Sequence, residues 1–211
     1  MPKSNVITAT KALKRLREGN RRFAKNRRTG LLDGEQDIRK LMLKSRGPFA
    51  IILSCSDSRA PSEILFDQGL GDLFVIRVAG NIVAPSLIGS IEFAAATTEA
   101  RLVIVMGHTE CGAIQATYES LVDKKASLSE NLADIVKRIR PHIRRLIAKH
   151  KDTLSREEIL RKAVGANVLA SVERLRHASP FLEKMIRSRK LMIVGAKYDI
   201  QTGEVDFFEV G

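Results

Sequence analysis

Phe49-Ala50-Ile51-Ile52-Leu53-Ser54-Cys55-Ser56-Asp57-Ser58-Arg59 is the stretch that decides the fold. It opens, after Pro48, with an unbroken apolar run from Phe49 to Leu53. Such a run, without polar alternation, is the pattern of a parallel strand covered on both faces. A cysteine, an acid and an arginine come directly after it. Charged groups have no place in a dry core unless they are paired. They do have a place at the carboxyl edge of a parallel sheet, where open α/β folds bind their ligands.

A second stretch repeats the design. Leu102-Val103-Ile104-Val105-Met106 is apolar, Gly107 is next, and then comes His108-Thr109-Glu110-Cys111. The chain has two cysteines, and each lies at the carboxyl end of a predicted strand. Two thiolates and one imidazole make a set of three ligands. Catalytic zinc commonly has three protein ligands and an open fourth position, whereas structural zinc usually has four. Taken singly, Cys55 and Cys111 also read as small buried core residues, and His108 as a satisfied core histidine. The acid and arginine beside Cys55 favour the metal reading.

The rest of the chain alternates in the same way. Thr8 to Lys25 reads as an amphipathic helix with Thr8 or Thr10 as N-cap, interrupted at Gly19-Asn20. Such a helix has little of its own domain to cover. Gln36 to Lys44 reads as a second short helix. After the first strand come a helix over Ala60–Gln68, a strand over Leu73–Val78 and an Ala-rich helix over Pro85–Ala100. Beyond the third strand a helix starts near Glu110, its N-terminus favouring anions. Leu132–His150, with a kink expected at Pro141, and Ser155–His177 read as long amphipathic helices. Pro180–Ser188 is a short helix, Leu191–Ala196 a fourth strand and Val205–Val210 a closing antiparallel one. The fold class is α/β: a mostly parallel sheet of four strands plus an antiparallel edge strand, flanked by helices. The 211 residues suit one domain, with 1–45 an N-terminal helical arm and 46–211 the zinc-binding core.

Composition narrows the function classes. No apolar run reaches the roughly 20 residues of a membrane span. The basic N-terminus lacks the apolar region of a signal peptide. Two cysteines are too few for a disulfide framework and suit a reducing compartment, so the cytoplasm is expected. The net charge is +12, with ten Lys or Arg in residues 1–30 and seven in 137–151. These basic residues interleave with apolar stripes such as Leu13, Leu16 and Phe23, or Ile139, Ile143 and Ile147. They read as solvated helix faces, and no aromatic stacking platform for nucleic acid accompanies them.

Cys-x-Asp-x-Arg with a later His-x-x-Cys-Gly resembles the β-class carbonic anhydrases. Arg77-Val78-Ala79-Gly80-Asn81 and Gly195-Ala196-Lys197-Tyr198-Asp199, with Thr202-Gly203 beyond, look like further signatures of that family. The resemblance runs from about Ala9 to Val210. It implies that Cys55, His108 and Cys111 bind one zinc ion per chain. It implies a catalytic dyad of Asp57 and Arg59, with Asp57 orienting a zinc-bound hydroxide toward carbon dioxide. Asp57 would be a fourth zinc ligand only in a closed state. Phe74, Ala79, Phe93 and Gly112 would line the substrate pocket. The N-terminal helices would reach a neighbouring subunit in a homodimer or tetramer.

Departures from the family pattern are visible. Relatives commonly have tyrosine where Phe93 stands and glutamine where Arg46 stands. Relatives that close on binding bicarbonate usually have tryptophan where this chain has Ile52, although Arg77 matches another part of that site. An open site is therefore expected. Two alternatives compete with hydration of carbon dioxide. One is hydrolysis of carbonyl sulfide or carbon disulfide, though relatives with those activities depart from Cys-Ser-Asp-Ser-Arg. The other is a zinc-stabilised basic module that binds nucleic acid, with Asp57 as a permanent fourth ligand.

Overall fold

The computed structural model describes residues 7–29, 47–123 and 128–208. The expected second helix over Gln36–Lys44 and the position of Arg46 lie outside them.

Helix α1 (Ala9–Ala24) is capped by Thr8, whose hydroxyl accepts from the Lys11 amide at 3.3 Å. Strand β1 (Ala50–Ser54) leads through the Cys55–Arg59 loop to a short helix α2 (Ser62–Leu65). Next are β2 (Leu73–Arg77), a 3-10 turn (Ala79–Asn81), α3 (Pro85–Thr97), β3 (Leu102–His108) and α4 (Gly112–Val122). The long helices α5 (Glu130–His150) and α6 (Arg156–Arg176) come after these, the former continuous through Pro141. Helix α7 (Pro180–Arg187), β4 (Met192–Tyr198) and β5 (Val205–Phe208) complete the described chain.

The sheet order is β2-β1-β3-β4-β5. The first four strands are parallel and β5 is antiparallel to β4, as the sequence pattern implies. Strands β1 and β3 are central and buried at every position, which explains their unbroken apolar runs. Their register pairs Ile51 with Val103 and Ser54 with Met106. The loops that leave both strands therefore emerge at the same sheet edge.

Two apolar layers cover the sheet. One, built on Val103, Val105, Val168 and Val172, packs against α3, α6 and α7. The other contains Ala12, Leu13 and Leu16 of α1 with Phe66, Ile104 and Met106. Helix α1 thus covers a face of its own sheet, contrary to the expectation that it finds little there. Gly19 and Asn20 do not interrupt it. A Cβ on Gly19 would lie 1.8 Å from the Phe66 carbonyl oxygen, so glycine is what permits the close approach. Asn20 is buried and bonds to Leu65 O, Gly203 O and Val205 N. The helix expected over Ala60–Gln68 shrinks to Ser62–Leu65, because Asp67 turns left-handed (φ 48°). There its carboxylate accepts from Arg22 and from the Thr29 amide.

Candidate metal centre

The carboxyl edge of β1 and β3 brings Cys55, His108 and Cys111 together. All three are buried, and their ligand atoms lie within 4.8 Å of one another. Cys55 Sγ and Cys111 Sγ are 3.9 Å apart. Strand β3 runs two residues beyond Met106, so His108 is its last residue and rigidly placed. The loop after it is tied to β4: the Thr109 amide donates to Tyr198 O, and Thr109 Oγ1 accepts from the Ile200 amide. Cys111 immediately precedes α4.

The ring of His108 fixes its own role. Nδ1 lies 2.8 Å from Thr109 O, so it carries the proton and donates. Nε2 is left with a lone pair, buried and, among the described residues, without a hydrogen-bond partner. A buried acceptor left unmatched is costly, and a cation at that point removes the cost. The cysteines point the same way. The hydrogen bond from Cys111 pulls the Cys55 thiol down to about 4 against the opposing effect of burial, while Cys55 and burial push Cys111 up. Two sulfurs this close do not both ionise without a positive charge between them. The donor set fits a metal ion that takes two thiolates and one imidazole. Two metal–sulfur bonds of about 2.3 Å at a tetrahedral angle would space the sulfurs by about 3.8 Å, close to what is found.

Asp57 stands beside this trio without belonging to it. Its Oδ1 accepts from the Arg59 amide at 2.9 Å and from Arg59 Nε at 3.0 Å. Its Oδ2 accepts from Arg59 Nη2 at 2.9 Å and lies 3.9 Å from His108 Nε2. This bidentate fork, first among several causes, holds the carboxyl down to about 2. Arg77 anchors the loop from β2, donating from Nε to Cys55 O at 3.1 Å and from Nη2 to Asp57 O. The Gly80 amide donates to Cys55 Sγ at 3.4 Å.

The family model described as carbonic anhydrase matches residues 50–205. A carbonic anhydrase of Mycolicibacterium smegmatis is 35% identical over 206 residues, covering 98% of this chain and 95% of its own. The solved β-carbonic anhydrase CcaA superposes with a TM-score of 0.71 at 27% identity, covering 94% of this chain and all of that one. The chain belongs to the β-carbonic anhydrase family. Carbonic anhydrase 2 of Mycobacterium tuberculosis is also similar, at 34% identity over 96% of this chain and 93% of its own.

The other expected family positions are less convergent. Phe74 sits opposite Ile51 in the ladder, four residues before Cys55. It meets Phe93 of α3, ring centroids 6.4 Å apart, and Phe93 is 60% exposed. Ala79 is half-buried in the turn after β2, and Gly112 is exposed, with open space where a Cβ would stand. Sequence reasoning assigns no role to three contributors: Glu110, Gly80 and Asn167. Glu110 takes a left-handed backbone (φ 59°) and bonds to Arg59. Gly80 and Asn81 lie in a family-like motif, but nothing in it signals a bond to sulfur. A cleft of about 780 Å³ between α5 and α6 is separate from the metal residues. Its lining includes Asn167 and Ser171.

Proposed function

We propose that this protein catalyses the reversible hydration of carbon dioxide to bicarbonate and a proton, with one zinc ion per chain on Cys55, His108 and Cys111. The observation that carries the reading is the unpartnered Nε2 of His108, set among two buried thiols, with Asp57 held beside it by Arg59. Zinc, when bound, supplies a Lewis acid that ionises water near neutral pH.

The chain's own residues then do the positioning. Asp57 Oδ2 faces the metal trio and is ionised at any working pH, so it acts as an acceptor and not as a base that must titrate. A water held there would give its hydrogen to Oδ2, so that the carboxylate would orient that oxygen toward carbon dioxide. Arg59 holds the carboxylate in that orientation and would keep it from binding the metal, which is the open arrangement. Thr109 O fixes the His108 tautomer so that Nε2 presents its lone pair. Two thiolates neutralise a dication, leaving it a weaker acid than three imidazoles would, so these outer contacts matter more.

Phe74, Ala79, Phe93 and Gly112 form the apolar approach for carbon dioxide in this reading. Phe93 is exposed in the single chain, so the pocket is completed in a homodimer or a tetramer. The free thiols suit a reducing compartment, and we place the enzyme in the cytoplasm. Among the described residues no helix is long and apolar enough to cross a membrane. Stopped-flow hydration measured with zinc content across about pH 6.5–9 tests the proposal. The expected result is activity proportional to zinc, with both lost in Cys55→Ser and Cys111→Ser. A fully zinc-loaded protein without hydratase activity would overturn it.

A further inference from the structure

The turn Ala79–Asn81 brings the Gly80 amide to Cys55 Sγ in an unusual backbone conformation. Gly80 and Asn81 are both left-handed, at φ 67° and 42°. Glycine enters this region freely and asparagine more readily than other residues, so the contacts of the turn decide which conformation it keeps. Helix α6, which supplies no metal ligand, is what holds it. Asn167 Nδ2 donates to Gly80 O at 2.8 Å and reaches Asn81 Oδ1 at 3.4 Å. One helical turn on, Ser171 Oγ donates to Asn81 O at 3.1 Å. Asn167 is 3% exposed and Ser171 6%. The turn is also wedged from α4 and α5: a Cβ on Gly80 would lie 3.0 Å from Ala113 Cβ and 2.7 Å from Ile139 Cδ1.

We infer that Asn167 is a positioning residue for the metal centre: by holding the Gly80 carbonyl it fixes the Gly80–Asn81 peptide and, through the Gly80 Cα, orients the preceding peptide so that the Gly80 N–H stays on the Cys55 sulfur. An N–H donated to a thiolate withdraws electron density from the metal–sulfur bond. The cation is then a stronger acid, which offsets part of what two thiolates take away. The inference rests on the zinc reading above.

The test is spectroscopic. In cobalt(II)-substituted Asn167→Ala the sulfur-to-cobalt charge-transfer band should move to lower energy, because the sulfur lone pairs lose a donor. Zinc affinity, measured by chelator competition, should fall by about 10–100-fold, the range for such outer contacts, because a Cys55 thiolate without its donor is harder to form and less well placed, which outweighs its greater donor strength. The midpoint of the hydration pH profile should rise. Leu175→Ala is the control: it opens a cavity in the same helix one turn beyond Ser171, where Leu175 is buried in the layer that holds Leu182 and Leu191, and should leave the band unmoved. Should Asn167→Ala fail to fold, wild-type protein loaded with cadmium-113 still decides. The Gly80 amide proton should show scalar coupling to cadmium across the hydrogen bond, and absence of that coupling overturns the inference. So does an Asn167→Ala protein with unchanged band and unchanged zinc affinity. A protein that gives the band shift and the coupling but hydrates no carbon dioxide would sink the functional reading and leave this one standing.

Discussion

Arg59 Nη1, the guanidinium nitrogen that Asp57 does not use, donates to Glu110 Oε2 at 3.1 Å. Arg59 Nη2 also reaches the Glu110 carbonyl at 3.3 Å, and Gln201 Nε2 holds the other Glu110 oxygen at 3.3 Å. The dyad arginine is therefore gripped by two carboxylates, one on each of the two site loops. Glu110 does this from a left-handed backbone position that favours glycine. Its conformation costs stability, and what it supplies is a fixed Arg59.

Glu110→Gly should accordingly separate stability from activity. Relief of the left-handed strain and loss of an exposed ion pair are both small and oppose one another. Thermal midpoint should stay level or rise slightly. The hydration rate should fall several-fold as Arg59 loosens. Thermal denaturation and stopped-flow on one preparation check this, and a midpoint that falls in step with the rate would make Glu110 a structural residue.

Gly19→Ala probes the seat of α1. The added Cβ would lie 1.8 Å from the Phe66 carbonyl oxygen, which is backbone and cannot swing aside. The helix must shift, at a cost of about 1–3 kcal/mol. Urea unfolding should show a lower midpoint with an unchanged slope, and zinc content of the native protein should be retained.

The contrast between Gly19-Asn20 and Cys55-Arg59 shows what a sequence discloses. The central strands are legible because burial on both faces forces unbroken apolar runs, and the parallel topology then carries Cys55 and His108 to one edge. Asn20 reads as a helix interruption because its partners, Leu65, Gly203 and Val205, lie 45 to 185 positions away. Asn167 is hidden for the same reason. Helical periodicity shows that its face is buried but not that a backbone carbonyl waits there. Asp67 ends α2 through bonds to Arg22 and Thr29, again from another part of the chain.

Phe93, 60% exposed on α3 and touching Phe74 of the edge strand β2, marks the face where a second copy is expected. Phe93→Glu should shift the protein from dimer or tetramer toward monomer in light scattering at micromolar concentration. A wild-type monomer under those conditions would refute the assembly, and with it the shared pocket.

Acid should act on the Asp57–Arg59 pair in a defined window. Arg59 holds the Asp57 carboxyl at about 2 in the folded chain, below its ordinary 3.8. A group with a depressed folded value adds stability that is present above its unfolded value and lost as pH falls through the folded one. The stability gap between wild type and Asp57→Asn should be level from about pH 5 to 8 and narrow between about pH 4 and 2. Urea midpoints across that range measure it. A gap that changes near neutrality would mean that Asp57 is not paired as found here.

Removing the two partners of the dyad should have different consequences. Asp57→Asn keeps the shape and loses the charge; zinc should stay, since three ligands remain, and hydration should fall about 100-fold. Arg59→Ala frees the carboxylate, whose Oδ2 already stands 3.9 Å from His108 Nε2. A small side-chain swing then makes Asp57 a fourth ligand, with a zinc–oxygen distance of about 2.0–2.2 Å by X-ray absorption or crystallography. Glu110 cannot prevent this, because its bonds are to Arg59 and Gln201 and not to Asp57. Adding Asp57→Ala to Arg59→Ala should reopen the fourth position to water without restoring the rate. The two single effects should therefore not add, as holds for residues in contact. An Arg59→Ala protein with water on zinc and near-normal hydration would show that Arg59 is only a surface partner of Asp57.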